Sequence, residues 1–373
     1  MKKVALFLLC FMPLLSGCWD QMPLRNLNLV DIAGVDVNDE TGDIEIHYVI
    51  THLTKAGQGS GEPMSMDKKL KGKSVVDAIG HAQFSNQAPF IGISTGVYVF
   101  SEQFASHNPI SELEFLIHAP YTSISTPVII FEGNLSSFLE KEPEKDKQFT
   151  KEFFDFVKLL DQNSIISTTS MMQFIEATNT DLALPVIKQG ETGVELNGAL
   201  LFRQGKNTSV KLTNEEVQMM ALLRGRDKGR QRYTGYLSGK EEKTTNQPNQ
   251  NEYGFSVKKG KANIVVSSGS KKNPTITVHV QLKINAFKLT KKFSDLKSDV
   301  VNQMEKELSR QLEKQAAGTI KTMQEANCDV LGIGNKLKAY HPKVWEKLNW
   351  DKDYQTISIQ PDFDVQILNA DSE

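Results

Sequence analysis

The residue with the most definite chemistry is Cys18, which closes the run Leu14-Leu15-Ser16-Gly17-Cys18. Lys2 and Lys3 precede an apolar segment from Val4 to Leu15, the length of a secretory signal core and too short to span a bilayer. An apolar residue, a tolerant position, a small residue and then Cys is the ending of a bacterial lipoprotein signal, and Leu15-Ser16-Gly17-Cys18 fits it throughout. The small residues let a peptidase close on extended backbone, while the Cys18 thiol is the nucleophile that takes a diacylglyceryl group before cleavage. Residues 1–17 are therefore expected to be a cleaved signal peptide, with Cys18 acylated and seated in the lipid bilayer.

Little else in the chain could do chemistry. HExxH, CxxC, Walker A and G-x-S-x-G sequences are all missing, and Gly332-Ile333-Gly334 is a GxG without a third glycine that follows a helix, not a strand. His47 is placed on the wet face of a strand with no other His or Cys at metal-ligand spacing, so no metal site is assigned. Met171 and Met172 read as core filler. The run Arg224, Arg226, Lys228, Arg230 and Arg232 lacks interleaved aromatics for stacking and reads as a solvated turn; nucleic acid is not expected as a partner. No catalytic residue and no cofactor emerge.

Composition agrees. With Lys2 and Lys3 removed from 43 basic residues, the 45 acidic ones leave a formal charge of −4, too balanced for general adhesion to nucleic acid or anionic lipid. Of three cysteines, Cys10 leaves with the signal and Cys18 carries lipid, so Cys328 alone could be a free thiol and no intrachain disulfide can form. The mature chain must be held by its core, which its length permits in two or three domains.

The elements alternate irregularly, pointing to an α+β fold of several domains with mixed or antiparallel sheets and packed helices. In the first domain, residues 18–190, Leu29–Val37 and Ile44–Ile50 read as a hairpin in which only Val49 breaks the alternation. Residues 56–72, rich in Gly, Ser, Met and Lys, read as a mobile loop. A helix over 73–84 is capped by Ser74 with Asp77, Ile91–Phe100 is a buried strand, and Pro109–Ile117 a short helix. Then come a strand over Val128–Phe131, a helical region over Phe138–Leu160 and a short helix over Ser167–Ala177. A small middle domain, 191–258, shows a ββα element: strands over Val194–Phe202 and Val210–Leu212, then a helix with Thr213 and Glu216 as capping box and Gly225 as its C′ residue. Residues 241–252 read as an exposed linker. In the third domain, 259–373, Ile276, Val278, Val280, Leu282, Ile284 and Ala286 alternate as a long strand. Phe293, Leu296, Val300, Met304, Leu308, Leu312, Ala316, Ile320 and Met323 make one stripe of a helix some 35 residues long, with Gly318 as a weak point. Ile357, Ile359, Phe363, Val365 and Ile367 form a last strand.

Between that helix and that strand stand Asp329, Leu331, Gly332, Ile333, Gly334, Pro342, Trp345 and Trp350. The glycines permit positive φ, Pro342 stops regular structure, and the tryptophans supply apolar area over a helix end. This run resembles the C-terminal signature of the Ger(x)C family of spore-germination lipoproteins, the C subunits of germinant receptors. The resemblance extends to Cys18-Trp19-Asp20, to Gly34 and Asp36, and to Asn197-Gly198-Ala199-Leu200-Leu201-Phe202, and so covers the mature chain. One departure follows Gly96, where the family often has His and a basic residue and this chain has Val97 and Tyr98. The resemblance implies a non-catalytic subunit on the outer face of the inner spore membrane, partnered by two membrane-spanning receptor subunits. The alternative, a solute-binding lipoprotein of an importer, would show two α/β lobes with repeated strand-helix alternation, which the antiparallel-type strands and single long helix do not.

Overall fold

The computed structural model describes residues 28–52, 64–82, 90–91, 95–119, 122–145, 148–191, 193–225, 231–236, 252–267, 274–288 and 298–370. The expected signal peptide, Cys18 to Asp20, residues 56–63 of the expected loop, Arg226 to Arg230, residues 241–251 of the expected linker, and Phe293 with Leu296 lie outside the described residues.

The chain opens with the expected hairpin, β1 (Asn28–Val37) and β2 (Ile44–His52), paired antiparallel. Its turn is held by the Asn38 side chain, whose oxygen accepts from the amides of Glu40 and Thr41 at 3.0 and 3.1 Å. The next segment corrects the loop expected over 56–72, because Met64–Gly72 is a strand, β3, paired with β2 along its whole length. Two interactions override its composition: Leu70 enters the core, and Lys69 and Lys71 both reach the carboxylate of Glu45 on β2 at 2.6 Å. Lysines also suit an edge strand.

Helix α1 (Val75–Ala82) follows, with Ser74 Oγ accepting from the Asp77 amide at 3.1 Å and the Asp77 carboxylate accepting from the Lys73 amide at 2.8 Å. The strand expected over 91–100 is two pieces, β4 (Phe90–Ile91) and β5 (Val97–Ser101). Next are α2 (Glu102–Ser106), α3 (Pro109–Leu113) with a 3₁₀ turn to Ile117, and β6 (Pro127–Glu132). The helical region expected over 138–160 is two helices, α4 (Leu135–Lys145) and α5 (Phe149–Gln162), in which Phe153, Val157 and Leu160 are buried and Phe156 is partly buried. A bridge β7 (Thr169–Ser170), a capped turn of helix α6 (Met171–Ile175), β8 (Leu182–Gly190), β9 (Gly193–Arg203) and β10 (Lys206–Leu212) lead to α7 (Asn214–Leu223), whose Thr213–Glu216 capping box is complete in both directions.

Among the described residues ten of these strands form one sheet in the order β10-β9-β8-β6-β5-β1-β2-β3, with β4 and β7 beside β1 and β6. Strands β1, β5, β6 and β8 are parallel, and the outer ones antiparallel. Both faces are covered. Val35, Ile46, Phe100, Ile130 and Val186 pack with Phe104, Phe174 and Ala78 on one side, while Ile32, Val49, Val99, Ile129 and Ile187 pack with Leu135, Leu139, Phe153 and Val157 on the other. Gly34 lets α4 cross β1 closely, since a Cβ there would stand 2.4 Å from the Leu139 side chain.

The boundary expected at 190/191 falls in the turn between β8 and β9, which are antiparallel neighbours in this one sheet, and residues 258/259 lie inside a single strand. That strand, β12 (Glu252–Ser267), stands between β11 (Arg232–Tyr236) and β13 (Thr275–Lys288) in a second sheet of order β11-β12-β13-β14. The chain then makes α8 (Ser298–Glu325), α9 (Ile333–Tyr340), α10 (Pro342–Trp345) and α11 (Trp350–Asp353) before β14 (Ser358–Ala370) pairs parallel with β13. The two periodicities read from the sequence meet here: Ile276, Val278, Val280, Leu282 and Ile284 share a core with Leu308, Leu312, Ala316, Ile320 and Met323. Gly318 does not interrupt α8. Glu305 and Glu313, on its flank, accept from the amides of Ile367 and Phe363 at 2.8 and 3.2 Å. Eight residues of helix advance about 12 Å and four of strand about 13 Å, so helix and strand run alongside each other in opposite directions with matched pitch.

Leu308 is 2 % exposed at the centre of the stripe. Leu308→Ala is expected to cost roughly 2–5 kcal/mol, and Leu308→Asp more, because it buries an unpaired carboxylate. Chemical denaturation of the two variants checks this; an unchanged midpoint for the Asp variant would put the stripe on solvent.

Candidate functional site

The C-terminal signature folds around one carboxylate. Gly332 takes the left-handed conformation, φ 68°, that turns the chain into α9, and this turn aims the first amides of the helix back at Asp329. Asp329 accepts from the amides of Ile333 at 2.9 Å and Gly334 at 2.7 Å and from the indole nitrogen of Trp350 at 3.2 Å. Burial raises its carboxyl to about 6, with the Gly334 and Ile333 amides pulling the other way. Gly334 is required by the third donor, since a Cβ there would stand 2.5 Å from Trp350 Nε1. Trp350 in turn packs between Trp345 and Tyr354, at ring centroid distances of 5.9 and 5.4 Å. Pro342 starts α10, and Leu331 is buried in the core shared with α8.

The same loop is fastened to the large sheet at the ends of β8 and β9. The Asp329 amide donates to Asp181 at 2.6 Å, the Cys328 thiol donates to the Phe202 carbonyl at 3.3 Å, and Arg203 reaches the Asp351 carboxylate at 3.0 Å. Arg224, from the basic run, donates through Nε to the Val330 carbonyl at 3.1 Å, so it is a link between α7 and the signature and not a solvated turn residue. Burial also raises the Asp181 carboxyl, against the Asp329 and Gln204 amides that donate to it, and it pushes the Cys328 thiol well up, so that thiol is inert at neutral pH.

Between the two parts runs a cleft of about 1010 Å³, walled by Thr168, Gln173 and Asp181 on one side and by Asn335, Trp345, Leu348 and Asn349 on the other. Asp329, Gly332, Gly334, Trp345 and Trp350 therefore come together at one place, as their clustering in sequence suggests. Asp181, Arg203 and Arg224 complete the arrangement from distant segments with no spacing to announce them.

His47 corrects the sequence reading, which put it on a wet face. It is fully buried, because α4 covers that side of β2; its Nε2 lies 2.8 Å from Ser136 Oγ. Glu45, next along the face, has its carboxylate between Lys69 and Lys71, with Asn38 Nδ2 at 3.1 Å and Ser136 Oγ at 3.3 Å. Burial would raise the Glu45 carboxyl, but Lys69, Lys71 and Asn38 outweigh it and hold it at about 2. Serine and glutamate both approach the same imidazole nitrogen, so the group lacks the relay geometry of a hydrolytic triad, in which the acid holds the other nitrogen. The one signal for the buried face was Val49, whose apolar side chain interrupts the alternation and sits in the core under α4.

The two carboxylates predict opposite pH responses. Glu45, with its folded value below its unfolded one, stabilises the fold fully above about 4.5, and that contribution is lost as pH falls from there toward 2. Asp329, with its folded value above its unfolded one, subtracts stability as pH rises from about 4 to about 6. The stability difference between wild type and Glu45→Gln should shrink on acidification, whereas Asp329→Asn should remove a downward slope between pH 4 and 6; urea titrations at stepped pH check both signs.

Comparison with known proteins bears on the whole chain. Residues 20–189 match the family described as "Spore germination protein N-terminal domain", and residues 197–370 match "Spore germination B3/ GerAC like, C-terminal". "Spore germination protein GerQC" of Bacillus cereus is 23% identical over 99% of both chains, and "Spore germination protein KC" of Bacillus subtilis (strain 168) is 35% identical over 21% of this chain and 19% of its own. The structure described as "Crystal Structure of the GerBC protein" superposes with a TM-score of 0.57 at 15% identity, covering 90% of this chain and 97% of that one, which shows a shared fold. The signature around Asp329 lies inside the second matched segment, and with both segments together the chain belongs to the Ger(x)C family of spore germination proteins, the C-subunit family of germinant receptors.

Proposed function

We propose that this chain is the lipid-anchored, non-catalytic C subunit of a spore germinant receptor, held by acylated Cys18 on the outer face of the inner spore membrane and assembled with membrane-spanning receptor subunits. What supports the anchor is the agreement of Leu15-Ser16-Gly17-Cys18 with a family match that begins at residue 20, two residues past Cys18. What supports a non-catalytic part is the use of the signature. The Asp329 carboxylate is engaged by three internal donors, and Trp350 and Gly334 are committed to holding it. The signature residues are thus structural, building the surface at the end of the large sheet that partner subunits would meet.

Cys18→Ala is expected to move the protein from the membrane pellet to the soluble fraction after a salt wash, because two or more acyl chains are needed for stable anchoring. Affinity capture of the wild-type chain from spore membranes should bring down integral membrane proteins in fixed proportion, and capture of none would overturn the assembly reading. Trp345→Ala removes a half-buried ring, so the loss in stability should stay below the roughly 3–5 kcal/mol of a fully buried tryptophan, and germination should fail in step with subunit abundance. Normal abundance and melting with a lost germinant response would instead make the cleft a recognition site.

A further inference from the structure

The parallel strands of the large sheet all start at one end. Register sets Ile32 beside Val97, Tyr98 beside Val128, and Ile130 beside Val186, so the beginnings of β1, β5, β6 and β8 stand level, with Asn28 reaching a few residues farther out. The signature module is fastened to that same end through Asp181, Phe202 and Arg203. Only three strand spacings, about 14 Å, separate β1 from β8.

Beyond Asp329, this module presents an unusual surface. Tyr340 is 78% exposed at the end of α9, and Lys338, Lys343 and Lys347, close to it along the chain, are exposed too, with Glu346 as the acidic residue among them. No ion pair engages these three lysines among the described residues, in contrast to Lys69, Lys71, Lys73, Lys188 and Lys211, which pair with carboxylates elsewhere on the large sheet. Asn28 lies ten residue steps from Cys18, a reach of at most about 35 Å even when fully extended, so the end of the sheet that carries the lysines is tethered close to whatever surface holds Cys18.

The geometry points to the α9–α10 tip as a second membrane contact, in which Lys338, Lys343 and Lys347 meet the phosphates of anionic lipid headgroups and Tyr340 lies at the interface between them. The inference rests on the anchoring of Cys18. Its physical basis is independent: an amphipathic aromatic side chain flanked by unpaired cations suits a headgroup layer, and attraction to an anionic leaflet accumulates with each cation held within a screening length. Such a contact would fix the orientation of the subunit, which a single point of lipid attachment does not.

The test uses the whole mature chain carrying Cys18→Ser, so that no acyl chain contributes, in sedimentation with vesicles of phosphatidylcholine alone or mixed with phosphatidylglycerol. Binding is expected to the mixed vesicles only and to fade with added salt. Lys338→Glu/Lys343→Glu should weaken it at least tenfold, whereas the charge-matched control Lys73→Glu/Lys188→Glu, at the other end of the sheet, should change it less than about threefold, with melting curves of both variants confirming the fold. Absence of binding to the mixed vesicles, or equal weakening by the two variants, would overturn the proposal. Acylation of Cys18 is read separately from the mass of the wild-type chain extracted from membranes, so either idea can fail without the other.

Discussion

A half-buried carboxylate still needs donors in place of the water it has lost, and Asp329 takes its three from two backbone amides and an indole ring that the chain brings together only by turning sharply at Gly332. The constraint propagates outward. Two amides can converge on one carboxylate because α9 starts there, the indole can reach it because Gly334 has no side chain, and Trp350 is braced from both sides by Trp345 and Tyr354. The backbone of Asp329 is meanwhile bonded to Asp181 on the large sheet. The residue therefore ties the signature internally through its side chain and to the rest of the protein through its main chain.

Parts of this were legible from the amino-acid order and parts were not. Strand β13 and helix α8 stood out because each has one wet face, so hydrophobic period and burial coincide residue by residue, from Ile276 to Ala286 and from Met304 to Met323. The Thr213–Glu216 box was readable because capping is local chemistry. Strand β3 was not, since Lys68, Lys69 and Lys71 carry no strand signal of their own, and its pairing depends on Glu45 and on the open edge of β2. His47 was misplaced for a related reason. In a strand covered on both faces the polar residues no longer mark the solvent side, and only Val49 hinted at a second layer. The boundary at 190/191 falls at a turn, which sequence shows, whereas the pairing of β8 with β9 across it is a matter of register, which sequence does not show.

The carboxylates of Glu45 and Asp329 differ in the groups that surround them. Glu45 has full cations at contact distance, which favour the ionised form strongly enough to reverse the effect of burial. Asp329 has amide and indole dipoles but no cation among the causes that set it, and those dipoles offset burial and the nearby Asp181 carboxylate incompletely. The Glu45 group holds β2, β3 and α4 together by charge pairing, whereas the Asp329 group holds a turn in shape.

The glutamates of α8 that accept from Phe363 and Ile367 occupy backbone donors at the outer margin of β14. A margin whose amides are already engaged is a poor template for another extended chain, and the helix lying along it is a steric barrier as well. Where identical copies meet at high local concentration, this closure disfavours runaway edge-to-edge polymerisation through that margin. Any contact formed on this flank must then be made by side chains that can discriminate among neighbours, not by main-chain groups that every protein shares.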